Sequence, residues 1–201
     1  MSELFPQKPR QARSVARIDR ERCLLLVVDV QERLAPQVLG HESLIAHIEA
    51  LIWAAQYLGM PRLATEHCPD RIGALIPRLR ERFLPEEIYR KTRFGAADHP
   101  EFESMVRSRG RSQIVVAGME AHVCVMQTTL ALAAKGFDMF VVGDAVGSRQ
   151  ERQQDRELAL ARMRDAGCIL LGTESALFEC TAAGDDPAFR DVLALVKSLP
   201  G

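Results

Sequence analysis

The stretch CLLLVVDV, from Cys23 to Val30, has six apolar residues in unbroken succession before its first charge. Such a run is typical of a strand that helices bury on both faces, as in parallel sheets. Five more short stretches alternate with helical patterns: PRLATEHC (61–68), EEIYRK (86–91), SQIVVAG (112–118), FDMFVVGDA (137–145) and CILLG (168–172). This alternation predicts an α/β fold, a three-layer α/β/α sandwich with a six-stranded, mostly parallel sheet in the Rossmann-like order 3-2-1-4-5-6.

The domain organisation follows from the same pattern. The chain has no linker, internal repeat or low-complexity segment, so residues 1–20 are expected to form an N-terminal arm and residues 21–201 a single domain. The stretch TESALFECTA predicts a short helix capped by Thr173 or Ser175.

The composition is that of an ordinary globular protein. Of 201 residues, 47% are hydrophobic and 26% charged, and the formal net charge is −1. This balance gives no electrostatic reason to expect a nucleic-acid partner, and no apolar run approaches the ~20 residues of a membrane-spanning helix. The first residues are partly basic but lack the apolar stretch of a signal peptide. The five cysteines are scattered without a C-x-x-C pair, as expected for free thiols in the cytoplasm.

Three reactive side chains lie at or just after the ends of predicted strands. Asp29 follows the first strand, Lys91 ends the third, and Cys124 comes a short turn after the fourth. Because ligands bind outside the carboxyl ends of parallel strands, all three are expected at one edge of the sheet. A helix N-terminus and a nearby lysine are expected to favour the reactive thiolate of Cys124. Asp29 is then placed to take the thiol proton and return it to a leaving amine.

Each of these residues also has an ordinary structural interpretation. An aspartate at a strand end often caps the next helix, a lysine within YRKTRFG is usually a solvated charge, and a single cysteine is more often a small buried hydrophobe. The combination of an acid, an amine and a thiol at one edge favours a functional site.

Four motifs spread over nearly the whole chain resemble those of the isochorismatase-like cysteine hydrolases, which include nicotinamidases and N-carbamoylsarcosine amidohydrolase. They are D-x-Q at 29–31, K-x-x-F at 91–94, G-x-x-x-x-x-C-V at 118–125 and D-A-V-x-S-R at 144–149. The order and spacing of the motifs carry this resemblance. In the last motif, Asp144 is expected to brace the loop after the fifth strand rather than to contact substrate.

The resemblance implies that Asp29, Lys91 and Cys124 form a catalytic triad. It also implies a cis peptide bond between Met119 and Glu120, which directs the backbone N–H groups of Glu120 and Cys124 towards a developing oxyanion. The implied reaction is attack of the thiol on an amide or ureido carbonyl, loss of ammonia or an amine, and hydrolysis of a thioester.

Five other residues near the motifs are candidates for the substrate pocket: Gln31, Glu66, His67, Phe94 and His122. Phe94 is the best candidate for an apolar wall, with a core aromatic as the competing interpretation. The two histidines are as compatible with a structural role as with a substrate contact.

A metal or another cofactor is not expected. Nicotinamidases that hold a metal use D-x-H with further histidines after the second strand, and the corresponding stretch ATEHCPDRIG lacks this motif. A zinc site of His67, Cys68 and His122 is disfavoured because the spacing matches no usual ligand pattern. Isochorismatases that cleave a vinyl ether lack a cysteine at the position of Cys124. The sequence therefore favours metal-independent hydrolysis of a C–N bond in a small molecule.

Two other function classes compete with this interpretation. A scaffold or interaction protein of the same fold, with weak or no catalysis, is the main alternative. Nucleotide binding is disfavoured because no G-x-G-x-x-G or Walker sequence follows a strand. The resemblance implies a homo-oligomer, because relatives usually assemble through helices beside the site and this chain has long apolar helices that suit such contacts. The sequence does not determine the number of subunits.

Overall fold

The computed structural model describes residues 17–200, which form one sheet of six parallel strands in the order β3-β2-β1-β4-β5-β6. The predicted strand order is confirmed, and every pairing is parallel. The strands are β1 (Cys23–Val28), β2 (Arg62–His67), β3 (Ile88–Lys91), β4 (Gln113–Met119), β5 (Asp138–Gly147) and β6 (Ile169–Leu171).

Helices cover both faces of the sheet, which confirms the three-layer sandwich. They are α1 (His41–Tyr57), α2 (Pro69–Ile72), α3 (Pro77–Arg80), α4 (Pro100–Arg107), α5 (Met126–Ala134), α6 (Gln153–Asp165), α7 (Thr173–Thr181) and α8 (Phe189–Lys197). Helices α1, α7 and α8 pack against one face, and helices α4, α5 and α6 pack against the other.

Strand β1 lies at the centre of the sheet, between β2 and β4. All six of its residues are buried. Successive side chains of a strand point to opposite faces, and those of β1 alternate accordingly between the two cores: Cys23, Leu25 and Val27 in one, Leu24, Leu26 and Val28 in the other. Both faces therefore require apolar residues, which explains the unbroken apolar run.

Strand β1 ends at Val28, two residues earlier than predicted, because Asp29 has a left-handed backbone (φ 52°) that leaves the extended path. At the other side of the sheet, β5 continues to Gly147 rather than ending at Ala145.

The predicted cap of helix α7 is wrong. Gly172 precedes the first turn, and neither Thr173 nor Ser175 caps the helix with its side chain. The carboxylate of Asp144 instead accepts hydrogen bonds from the Thr173 N–H at 2.9 Å and the Thr173 hydroxyl at 2.7 Å. A carboxylate satisfies a free N–H at a helix start as well as a local cap does, and here it ties β5 to α7.

The predicted arm of residues 1–20 lies mainly outside the described residues. Its last residues bond to the domain, with the Ile18 N–H donating to Glu179 at 2.8 Å and the Asp19 N–H to Gln113 at 2.7 Å. The division into an arm and a single domain stays a prediction. Within residues 17–200, no helix combines the length and apolar character needed to cross a bilayer.

Gly118 is expected to tolerate no side chain. Its φ is +128°, and a Cβ would collide with the backbone of Val28 in the neighbouring strand. Gly118→Ala should lower the free energy of unfolding by about 3 kcal/mol or more, because backbone atoms must move. Gly136→Ala is the matched control, since Gly136 also has a positive φ (+91°) but nothing within 4 Å of a Cβ. Urea unfolding should give a loss of about 1–2 kcal/mol for this control; equal losses would contradict the proposed collision.

Candidate active site

An ion pair joins the ends of β1 and β3. Lys91 Nζ lies 2.6 Å from Asp29 Oδ2, and both side chains are buried. Strand β2 separates β1 from β3, so the long lysine side chain spans the end of β2 to reach the carboxylate. The structure therefore brings together two of the three predicted catalytic residues.

Cys124 completes this cluster. It lies in a π-helical turn (Ala121–Val125) between β4 and α5, and it is 6% exposed. Burial, the largest effect, raises the pKa of the Cys124 thiol above its ordinary value, and the negative charge of Asp29 raises it further. The positive charge of Lys91 acts in the opposite direction. Both members of the ion pair therefore influence the pKa of this thiol.

Burial and the charge of Asp29 act against the expectation that Cys124 readily forms a thiolate, which stays a prediction. The residue is in a π-helical turn, not in the first turn of an α-helix, and desolvation outweighs the lysine charge. A buried thiol with a raised pKa keeps its proton at neutral pH. Its reactivity therefore depends on a base that takes the proton as the sulfur attacks.

Asp29 has a second partner that the sequence analysis missed. The Thr65 hydroxyl donates to Asp29 Oδ1 at 2.5 Å, and the Asp29 N–H donates to the Thr65 carbonyl at 3.1 Å. Thr65 is fully buried and pairs with Val28 in the register of β1 and β2. No distinct signal in the sequence pointed to Thr65, because β2 also contains the polar residues Arg62, Glu66 and His67.

A hydrogen bond joins the first and last residues of the K-x-x-F motif. Lys91 Nζ donates to the backbone carbonyl of Phe94 at 3.1 Å, which orients the ammonium towards Asp29. The Phe94 ring is 50% exposed, so it is not a core aromatic. It lies against the ring of His67, with 5.1 Å between the centroids.

The loop after β4 contains a cis peptide bond between Met119 and Glu120. The Glu120 carboxylate pairs with the Arg149 guanidinium at 2.9 Å. The Glu120 carbonyl accepts hydrogen bonds from the N–H groups of Val123 and Val125. Arg149 ends the D-A-V-x-S-R motif, and its role as a brace for this loop was not foreseen from the sequence.

Two of the candidate pocket residues form hydrogen bonds with other parts of the protein. The Gln31 amide is fully buried, accepts the N–H of His67 at 2.8 Å and donates to the carbonyls of His67 and Gly73. Glu66 is also fully buried; its carboxylate accepts the Leu75 N–H at 2.9 Å and pairs with Arg80 at 2.6 Å. Both side chains hold the connection after β2 in place.

The two histidines have different surroundings. Burial lowers the pKa of His67, and the positive charge of Lys91 lowers it further, so this ring near the Asp29–Lys91 pair stays neutral. His122 Nδ1 lies 3.0 Å from the Ser148 hydroxyl, on the side of β5. Among residues 17–200, no group of three or more His, Cys, Asp or Glu side chains has the arrangement of a metal site.

A cavity of about 880 Å³ lies away from this cluster. Residues just before β1 and residues along α7 line it, together with Gln113 at the start of β4. It therefore lies at the amino edge of the sheet and includes none of the predicted catalytic residues.

The strand order is that of a doubly wound α/β protein. A buried acid, a buried amine and a buried thiol follow or end strands at the carboxyl edge of its sheet. The chain matches the family model described as "Isochorismatase domain" over residues 23–175. It belongs to the isochorismatase family and has the hydrolase fold of that family.

Three solved structures show the same fold at high similarity. A MAR1 ribonuclease from Caenorhabditis elegans has 34% identity and a TM-score of 0.85, covering 92% of this chain and 95% of its own. YcaC from Pseudomonas aeruginosa, described with hexane-2,5-diol and covalent acrylamide, has 30% identity and a TM-score of 0.83 over 92% and 93% of the chains. Escherichia coli YcaC, described as an octameric hydrolase of unknown specificity, has 25% identity and a TM-score of 0.81 over 94% and 100%.

The Asp29–Lys91 pair is expected to be strongly coupled. Lys91→Met leaves the buried carboxylate without its cation and should lower the free energy of unfolding by about 3–5 kcal/mol. The double variant Asp29→Asn/Lys91→Met removes both charges and should lose less than Lys91→Met alone. Urea unfolding of the wild type, both single variants and the double variant measures this coupling. Additive losses would show that the two groups do not form an ion pair.

Proposed function

We propose that the protein is a metal-independent cysteine hydrolase that cleaves the C–N bond of a small amide or ureido compound through a thioester. Asp29, Lys91 and Cys124 form the catalytic triad of this proposal. The observation that carries it is the buried Asp29–Lys91 pair at 2.6 Å, whose two charges both act on the Cys124 thiol.

The first step uses Asp29 as a general base. Because burial keeps the thiol protonated, the carboxylate takes its proton while the sulfur attacks the substrate carbonyl. The carbonyl oxygen becomes an oxyanion, which the backbone N–H groups of Glu120 and Cys124 are proposed to stabilise. Lys91 offsets the negative charge that builds up in the site.

The second step returns the proton. Protonated Asp29 donates to the leaving nitrogen, the C–N bond breaks, and ammonia or an amine departs from the thioester. A water molecule then attacks the thioester carbonyl and gives a proton to Asp29. That proton returns to sulfur when the acid product leaves, so each turnover regenerates the thiol and the carboxylate.

The proposed pocket lies beside Lys91. The exposed Phe94 ring and the neutral His67 are the side chains near the triad that remain open to a substrate. Gln31, Glu66 and His122 support the pocket through their protein partners. The proposed reaction uses no metal or other cofactor. In keeping with this, the His, Cys, Asp and Glu side chains of residues 17–200 do not group as metal ligands.

A catalytically weak scaffold is the competing class, and it has no equivalent observation in its favour. A scaffold needs no buried acid, amine and thiol together, and removing such charges from an interior is often stabilising. One structural neighbour is named a ribonuclease, so RNA must be among the substrates tested.

The proposal predicts that Cys124→Ala abolishes ammonia release from a panel of small amides and ureido compounds. Asp29→Asn should reduce the rate by about 10²–10⁴-fold, as expected for loss of a general base. Cys168→Ala is the matched control, because Cys168 is also a buried free thiol but lies before β6; it should keep the wild-type rate.

Mass spectrometry after acrylamide treatment should find the adduct on Cys124, because the neighbouring base activates that sulfur. Absence of turnover on every compound, with no adduct at Cys124, would favour the scaffold. RNA cleavage that persists in Cys124→Ala would also contradict the proposed mechanism.

The protein is further proposed to act on a small molecule, in the cytoplasm, as a homo-oligomer. The octameric neighbour supports self-assembly, as do five large apolar side chains that are at least half exposed: Leu39, Tyr57, Leu84, Phe94 and Leu158. Light scattering after size-exclusion chromatography should give a multiple of the chain mass of 22.4 kDa. A single-chain mass at micromolar concentration would contradict this expectation.

A further inference from the structure

Thr65 lies between the two charged members of the proposed triad. It is in β2, the strand that separates β1 from β3. Its hydroxyl donates to Asp29 Oδ1 at 2.5 Å, while Lys91 Nζ occupies Asp29 Oδ2 at 2.6 Å. Each oxygen of the carboxylate thus has its own donor, and the group is held against rotation.

The backbone of Asp29 depends on the same residue. A left-handed φ of 52° is unfavourable for an aspartate, and such conformations persist where the surroundings hold them. The Thr65 carbonyl accepts the Asp29 N–H at 3.1 Å, so Thr65 binds Asp29 through both main chain and side chain. Thr65 is fully buried, and no water competes for its hydroxyl.

We propose that Thr65 is a positioning residue, whose hydroxyl fixes the orientation in which the Asp29 carboxylate accepts the Cys124 proton. The inference rests on the proposed function, because it assigns Asp29 the role of base. Without the hydroxyl, Oδ1 loses its donor and the carboxylate is free to turn away from this orientation. Losing the hydroxyl should therefore slow the step in which Asp29 takes the proton.

Other ionisable groups also face Asp29. They are Lys91 from β3, Cys124 from the π-helical turn and His67 from the end of β2. Of these groups, Lys91 bonds Oδ2 and not the Oδ1 atom that Thr65 occupies. A change confined to the Thr65 hydroxyl therefore tests one contact.

The test compares Thr65→Val, which keeps the shape but lacks the hydroxyl, with Thr65→Ser, which keeps the hydroxyl. With the best amide of the panel, Thr65→Val should lower kcat by about tenfold while KM stays within about twofold, because a misdirected base slows proton transfer and leaves substrate binding unchanged. Thr65→Ser should keep kcat within about threefold of the wild type. Thr181→Val is the packing control, since the Thr181 hydroxyl is buried and bonds to the Leu177 carbonyl in α7; it should leave kcat and KM unchanged.

A second measurement separates this inference from the proposed reaction. The alkylation of Cys124 by acrylamide requires the base and the thiol but no C–N cleavage, and Thr65→Val should slow it while Thr65→Ser should not. Slower alkylation of Thr65→Val with no amide turnover would retain the role of Thr65 and reject C–N hydrolysis. Equal alkylation rates for Thr65→Val and wild type would overturn the role of Thr65, whatever the amide panel shows.

Discussion

The buried Asp29–Lys91 ion pair is the interaction on which the site depends. Asp29 and Lys91 follow or end strands that are not neighbours, and they meet because the lysine side chain reaches across β2, the strand between them. Either charge alone would be costly in this interior. The pair is therefore both a constraint on how β1, β2 and β3 end and the source of the electrostatic field around the thiol.

The same burial that strengthens this pair works against the proposed nucleophile. Removing water raises the pKa of Cys124, so the thiol keeps its proton until a base takes it. In the proposed mechanism Asp29 takes this proton while the sulfur attacks, so that proton transfer and attack occur together. Asp29 has a hydrogen-bond donor on each carboxylate oxygen, which holds its side chain in one orientation.

Several residues of the recognisable motifs hold backbone rather than face a ligand. Gln31 bonds to the backbone of His67 and Gly73, Asp144 caps α7, and Arg149 pairs with Glu120 beside the cis peptide bond. Each joins loops that follow different strands. Backbone hydrogen bonds between strands stop where the strands end. At the carboxyl edge of the sheet, hydrogen bonds from these side chains replace them.

The sequence by itself determined the sheet, its strand order and the edge at which Asp29, Lys91 and Cys124 would lie, because unbroken apolar runs and alternating helices leave few other arrangements for a chain of this length. It did not reveal Thr65 as a partner of Asp29, the neutral thiol, or the engagement of Gln31 and Glu66 by backbone groups. Those features depend on which atoms become neighbours after strands distant in the chain are paired, and on how much water that pairing excludes. The hydrophobic periodicity of the sequence indicates which side of a helix or strand is buried. Hydrogen-bond partners and the local dielectric are properties of the assembled tertiary structure.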